Sequence, residues 1–197
     1  MTVDTKVVRL AAMAGLFVSG GVFGFVAGGS KRTTVEPVAV HFSPEEDLEA
    51  VDVGLIRSAA AGEAIDVALY VATDFRVVGA LADAAGRGCR VRLYLDAEQA
   101  AKANWRSNLG HPMHHLLARG GEVRLKAAGT PLMHLKGYTV GATLLRTGSA
   151  NASFDGLKNQ DNDVVVIREA VAISAFRRKF EALWTRPDNV VLTAARG

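Results

Sequence analysis

The sequence predicts an α/β fold, a mixed β-sheet flanked by helices on both faces, preceded by one transmembrane or signal segment. Three observations carry this. From residue 38 to about 127, apolar runs of strand length alternate with amphipathic runs of helix length, as in repeated strand-helix units. From 133 to 168 that alternation gives way to short strands in succession, with no room for a helix between the first two, so neighbours there must run antiparallel. Before all of this, Leu10 to Gly29 is a run of twenty residues without a charge.

Taken in order, residues 1–30 read as a membrane anchor or signal peptide. Twenty uncharged, mostly apolar residues match a bilayer crossing better than a secretory core, although Ala27 and Gly29 would suit a cleavage site. Gly20, Gly24 and Gly28 fall on one helix face, a spacing that lets membrane helices pack closely. Residues 31–37 form a polar linker ending at Pro37, residues 38–190 a single catalytic domain and 191–197 a tail. "VAVHF" (38–42) predicts a strand, followed by a helix with Ser43 as N-cap, Pro44 in its first turn and Gly62 as its stop. "AIDVALYVA" (64–72) and "CRVRLYLD" (89–96) predict apolar strands around a helix closed by Gly86 and Gly88. Residues 97–110 are too mixed to assign, "HPMHHLLARGG" predicts a short helix, and "EVRLKA" (122–127) a strand. "MHLKGYTV", "ATLLRTG" and "DVVVIR" predict three strands. A last helix then places Phe176, Phe180, Leu183 and Trp184 on one face.

Composition narrows the chemistry. The single cysteine, Cys89, excludes an intrachain disulfide and a cysteine-based zinc site. Residues 36–85 carry ten acidic and two basic side chains, whereas 86–146 carry ten basic and three acidic, a local balance of +7. A basic block of that kind favours polyanionic partners, nucleic acid or anionic headgroups. His111, His114 and His115, with Trp105 and Arg106, could line a groove, but they read better as surface loop residues. They lack the carboxylate or thiolate company of a zinc site.

The most informative stretch is "HLKGYTVGATLLRTGSAN" (134–151). His134 and Lys136 are two apart on a predicted strand and share a face, while Leu135 points into the core. Ser149 and Asn151, also two apart, follow a glycine that permits a tight turn at a strand end. Imidazole, ammonium, hydroxyl and amide are thereby gathered at one end of a sheet. The cation and polar donors suit the non-bridging oxygens of a phosphodiester, and a neutral imidazole can attack phosphorus. H-x-K alone is commonplace by chance; H-x-K with G-S-x-N at this spacing is not.

With those residues in place, the chain resembles the phospholipase D superfamily and its HKD motif. It is most like the small single-motif bacterial endonucleases and their membrane-anchored mitochondrial relatives, and the likeness runs over about residues 38–186. "VHFSPEED", "GRGCRVRLYLD" and "NQDNDVVVI" carry it beyond the motif. The resemblance implies that His134 is the nucleophile that becomes a phosphohistidine, and that Lys136, Ser149 and Asn151 bind the phosphoryl oxygens. It also implies that Asp161 orients His134. No cofactor and no metal are implied. Gly141 stands where the fuller motif has an aspartate, with Gly141-Ala142 reading as a hairpin. A chain with one H-x-K would take its second histidine, the general acid, from an identical subunit, which implies a two-fold homodimer. Trp184 and the last strands are candidates for burial near that interface.

Three functions follow in order of fit. The first is a metal-independent phosphodiester hydrolase acting as an endonuclease on DNA or RNA. The second is a phospholipase D releasing phospholipid headgroups, favoured by the membrane segment but not by residues 97–133, which hold no strongly apolar loop. The third is a non-catalytic nucleic-acid-binding module, prompted by Gly141. The anchor places the protein on a membrane, with its domain extracytoplasmic (periplasmic), or free in that compartment if the segment is cleaved.

Overall fold

The computed structural model describes residues 37–103, 105, 107–108 and 110–193. The predicted anchor or signal segment, the linker before Pro37 and Arg106 lie outside the described residues. Among the described residues no helix is long and apolar enough to cross a membrane.

The strands are β1 (Val38–Ser43), β2 (Ala64–Leu69), β3 (Arg90–Asp96), β4 (Glu122–Lys126), β5 (Lys136–Val140), β6 (Leu144–Gly148), β7 (Asn162–Ile167) and β8 (Val190–Leu192). They form one sheet in the order β1-β7-β6-β5-β2-β3-β4-β8. β2, β3 and β4 are parallel, joined through helices α2 (Phe75–Gly86), α3 (Ala97–Lys102) and α4 (Pro112–Ala118), and every other pairing is antiparallel. The change from helix-linked to hairpin-linked strands falls where the hydrophobic pattern changes, as the sequence predicts.

Alternation along the strands sends side chains to two layers. On one face Val67, Leu69, Leu93 and Leu95 pack with α2, α4 and α1 (Leu48–Arg57) in the main core. On the other, Ala68 and Tyr94 pack against Met133 and against Phe180, Leu183 and Trp184 of α6 (Ala170–Trp184). Helices therefore cover both faces, and the apolar stripe on α6 is the predicted one. Each fully buried leucine or isoleucine, such as Leu48 or Ile65, contributes about 1.5–3 kcal/mol. Under α6, Arg92 Nε donates to Asp66 Oδ1 at 2.8 Å, and the guanidinium lies 4.8 Å from the Phe180 ring centroid. Trp184 is already 95% covered within this chain and has Arg124 stacked on it.

Several local expectations need correction. α1 starts at Leu48, not at Ser43 and Pro44. Asp47 caps it by accepting from Ala50 N, while Ser43 ends β1 and gives its hydroxyl proton to the Gln160 carbonyl. α1 also stops at Arg57, and Gly62 instead supplies a positive φ in the turn into β2. Residues 97–102, left unassigned, form α3 because Asp96 accepts from Glu98 N and Gln99 N. α5 (Phe154–Lys158) and β8 were not foreseen, and β8 carries the sheet past residue 190 to Leu192. The Gly141 hairpin is present, with Gly141 at φ +53.

Candidate active site

Strands β1, β2, β3, β4 and β6 finish, and β5 and β7 begin, at one end of the sheet. Leu69 pairs with Lys136, Asp96 with Lys126 and Ser43 with Asn162. The candidate residues are hung there on the continuation of β2. Tyr70 N donates to the Leu135 carbonyl at 2.8 Å, and Thr73 N and Asp74 N both donate to the Ala152 carbonyl at 2.8 and 2.9 Å. Tyr70, Thr73 and the α2 cap Asp74 thus hold both motif segments to one piece of backbone.

His134 sits just before β5 and is exposed, its ring packed on Tyr70 at a centroid distance of 4.7 Å. Lys136 reaches over the same tyrosine, its Nζ 4.9 Å from the ring centroid and 3.1 Å from the His134 carbonyl, to which it donates. Burial lowers the Lys136 pKa from its ordinary value. Leu135 packs between them into the α6 layer, as predicted. The approach to His134 is fixed from below: Asp96, 4% exposed, accepts from Met133 N at 3.1 Å while its other oxygen caps α3.

The second segment turns at Gly148, whose φ is +133. Ser149 Oγ accepts from Asp163 N at 2.9 Å and donates to Asn162 Oδ1 at 3.0 Å, while Ser149 N donates to Asp163 Oδ1 at 3.2 Å. Asn151 is part-buried, and its Oδ1 has no hydrogen-bond donor among the described residues.

The structure therefore joins His134 to Lys136, and Ser149 to the start of β7, at one sheet end. Asp161 is exposed and lines a recess with Phe42, Ser43, Glu45, Glu46, Asn162 and Asp163; among the described residues no hydrogen bond links it to His134. Gly141 lies at the opposite end of β5, about 16 Å from Lys136 at 3.3 Å per residue, and farther still from His134. Sequence reasoning did not single out Tyr70, Asp96, Asn162 or Asp163. Nor did it find Arg146, whose buried guanidinium stands behind both segments, although an arginine inside the apolar "TLLRTG" was a visible signal. His111 and His114 have local tasks: His111, 3% exposed, caps α4 by accepting from Met113 N, and His114 Nε2 lies 3.0 Å from the Trp105 carbonyl. Among the described residues no cluster of three metal-binding side chains occurs.

His134 opens onto a cleft of about 310 Å³ lined by Lys126, Lys179 and Arg186, with Leu132, Met133, Leu135 and Leu183 between them and no carboxylate. The basic block read from the sequence thus reaches the site through Lys126, and α6 and the segment after it add two further cations.

Residues 54–184 match the family described as cardiolipin synthase, PLD-like domain. No curated protein matches the sequence. In fold the chain is similar to Nuc from Salmonella typhimurium, a phospholipase D family member, at 22% identity over 79% of this chain and 97% of that one (TM-score 0.68). It is similar to NucT from Helicobacter pylori at 20% identity over 79% and 98% (TM-score 0.63). It also resembles phosphatidylserine synthase from Haemophilus influenzae Rd KW20 at 17% identity over 80% and 40% (TM-score 0.59).

Proposed function

Because this chain belongs to the phospholipase D superfamily, we propose that it is a phosphodiesterase that cuts a nucleic-acid backbone through a phosphohistidine at His134. The observation that carries the polymer reading is the cleft beside His134, walled by Lys126, Lys179 and Arg186 without an acid. A lipid headgroup brings one phosphate to a site; a polynucleotide brings its neighbours as well, and each needs a cation.

The imidazole nitrogen of His134 attacks phosphorus as the bond to the leaving oxygen breaks, giving a covalent phosphohistidine. Water then attacks phosphorus, the P–N bond breaks and the imidazole is restored. Lys136, Ser149 and Asn151 hold the non-bridging oxygens, where charge builds in both steps. Lys136 is poised for this, because a partly desolvated ammonium interacts more strongly with an incoming oxyanion. Asp161, exposed just before β7, is the carboxylate that the family likeness assigns to fixing the His134 tautomer. The proton for the leaving oxygen comes from His134 of a second subunit in a two-fold dimer. Val38, Val40 and Phe42, all at least 45% exposed on β1 beside Asp163, give such a dimer an apolar surface to cover. Residues 1–30 would keep the domain at a membrane, on its extracytoplasmic side.

One feature favours a lipid instead: Leu132 is 54% exposed two residues before His134. The deciding experiment incubates full-length protein in mild detergent and EDTA with labelled single-stranded DNA, RNA and phosphatidylcholine vesicles, beside His134→Ala. We expect cleavage of a nucleic acid by the wild type alone. A Lys126→Gln/Lys179→Gln variant should raise KM for the polymer and reduce the salt slope by about 2. Headgroup release without nucleic-acid cleavage would overturn the polymer reading.

A further inference from the structure

We propose that Arg146 is a positioning residue that locks the two halves of the phosphate site into register, with Asp52 of α1 setting the lock; the proposal rests on the phosphodiesterase reading above. Arg146 is 0% exposed and Asp52 1%. Their contact is a two-toothed fork: Nε donates to Asp52 Oδ1 and Nη2 to Asp52 Oδ2, each at 2.8 Å. The remaining nitrogen faces the site. Nη1 donates to the Lys136 carbonyl and to the Ala150 carbonyl, both at 3.2 Å. Lys136 carries the cation of the first motif segment, and Ala150 lies between Ser149 and Asn151 of the second.

The place of these bonds gives them their meaning. The β5–β6 ladder runs from Val140–Leu144 to Tyr138–Arg146 and ends there. Lys136 and Ser149 lie beyond it, where the two strands part and no ladder between them fixes one motif segment against the other. One guanidinium bridges the gap. Only an arginine has donors along more than one edge of a rigid plane, to grip a carboxylate with one edge and two carbonyls with another. Tyr138, paired with Arg146 across the strands, completes the device. Its hydroxyl donates to Asp52 Oδ1 at 2.9 Å, and burial, then the Asp52 charge, hold the phenol well above its ordinary range, so it stays a donor.

Stability alone does not call for this arrangement. A buried ion pair is commonly no better for folding than apolar residues of like volume, and Leu144 and Val140 close by show that the face accepts them. The polar set stands where two catalytic segments must be aligned, so its effect should appear in turnover once folding is restored.

The test compares wild type with Asp52→Leu/Arg146→Met, which removes both charges and keeps the volume, and with Arg146→Lys, which keeps the charge but not the fork. Folding is checked by circular dichroism and a cooperative urea transition. Two properties are then read: turnover of bis(p-nitrophenyl) phosphate and the Kd for inorganic phosphate. In whichever variant folds, we expect kcat to fall roughly 10- to 100-fold and phosphate to bind about tenfold more weakly, since a shift near 1 Å suffices for such losses. A purely structural role would restore both along with the fold. A folded variant with kcat and Kd within about threefold of wild type overturns the proposal. If the wild type shows no turnover, the phosphodiesterase reading fails and the phosphate Kd alone decides on Arg146. A wild type that neither turns over nor binds phosphate overturns both.

Discussion

Gly148→Ala tests the site's backbone directly. At φ +133 this glycine ends β6 and aims Ser149 N and Ala150 N at the Asp163 carbonyl, both 3.2 Å away. An added Cβ would fall inside van der Waals contact with that carbonyl oxygen, and would lie 2.9 Å from Asp163 Oδ2 and 3.0 Å from its carbonyl carbon. The obstacle is mostly backbone, so no rotamer change relieves it. A side chain in this part of φ space costs on the order of 1–3 kcal/mol. Displacing Asp163 weakens two or three hydrogen bonds at about 1 kcal/mol each. The sum is about 3–6 kcal/mol, which lowers a urea midpoint by about 1.5–3 M for a slope near 2 kcal/mol per M. A misplacement near 1 Å of Ser149 and Asn151 should also lower kcat by roughly 100-fold in the fraction that stays folded. The control is Gly79→Ala in α2, where an added Cβ meets nothing within 4 Å; it should stabilise by about 0.5–1 kcal/mol. The assays are urea unfolding and bis(p-nitrophenyl) phosphate turnover. A Gly148→Ala protein with its midpoint within about 0.5 M of wild type and full turnover would refute this account of the turn.

Two further outcomes follow from the same geometry. Lys136 must be protonated to hold phosphoryl oxygens, and burial lowers its pKa, so kcat/KM should fall on the alkaline side at a lower pH than an ordinary lysine would give. In Lys136→Arg that limb should vanish, because guanidinium does not titrate there; an unchanged limb would assign it to another group. Gly141→Asp, which restores the fuller motif, should not raise kcat. The position is remote from His134, and at φ +53 its Cβ crowds Glu63, so backbone strain with like-charge repulsion should cost about 1–3 kcal/mol. A faster enzyme would show that the motif aspartate acts at the site.

The fold was legible wherever a local pattern decides the element. Apolar runs gave β2 and β3, and α2 ends at Gly86 with Gly88 at φ +92 just beyond, where the closing glycines predict its end. Errors arose where several caps competed. Ser43-Pro44 and Asp47 both offer a helix start, and the choice fell to Asp47 because Ser43 already bonds the Gln160 carbonyl, a contact spanning 117 positions. β8 is a three-residue edge strand, too short to leave a periodicity.

The site divides the same way. The four residues proposed to face phosphate lie two apart in each segment, a spacing legible in the sequence. What holds the segments is not local: Asp163 reaches Ser149 across 14 positions, and Asp52 reaches Arg146 across 94. The choice between Asp161 and Asp163 as orienting group depends on where β7 begins, since that point decides which carboxylate enters the ladder. β7 begins at Asn162, so Asp163 pairs with Phe42 and gives an oxygen to Ser149 N, while Asp161 stays outside the ladder. A carboxylate already bonded to Ser149 N fixes the second segment of the proposed site. One left unbonded is the better partner for an imidazole that must gain and lose a phosphoryl group. Asp161→Asn should therefore lower kcat without unfolding the protein, whereas Asp163→Asn should disturb both.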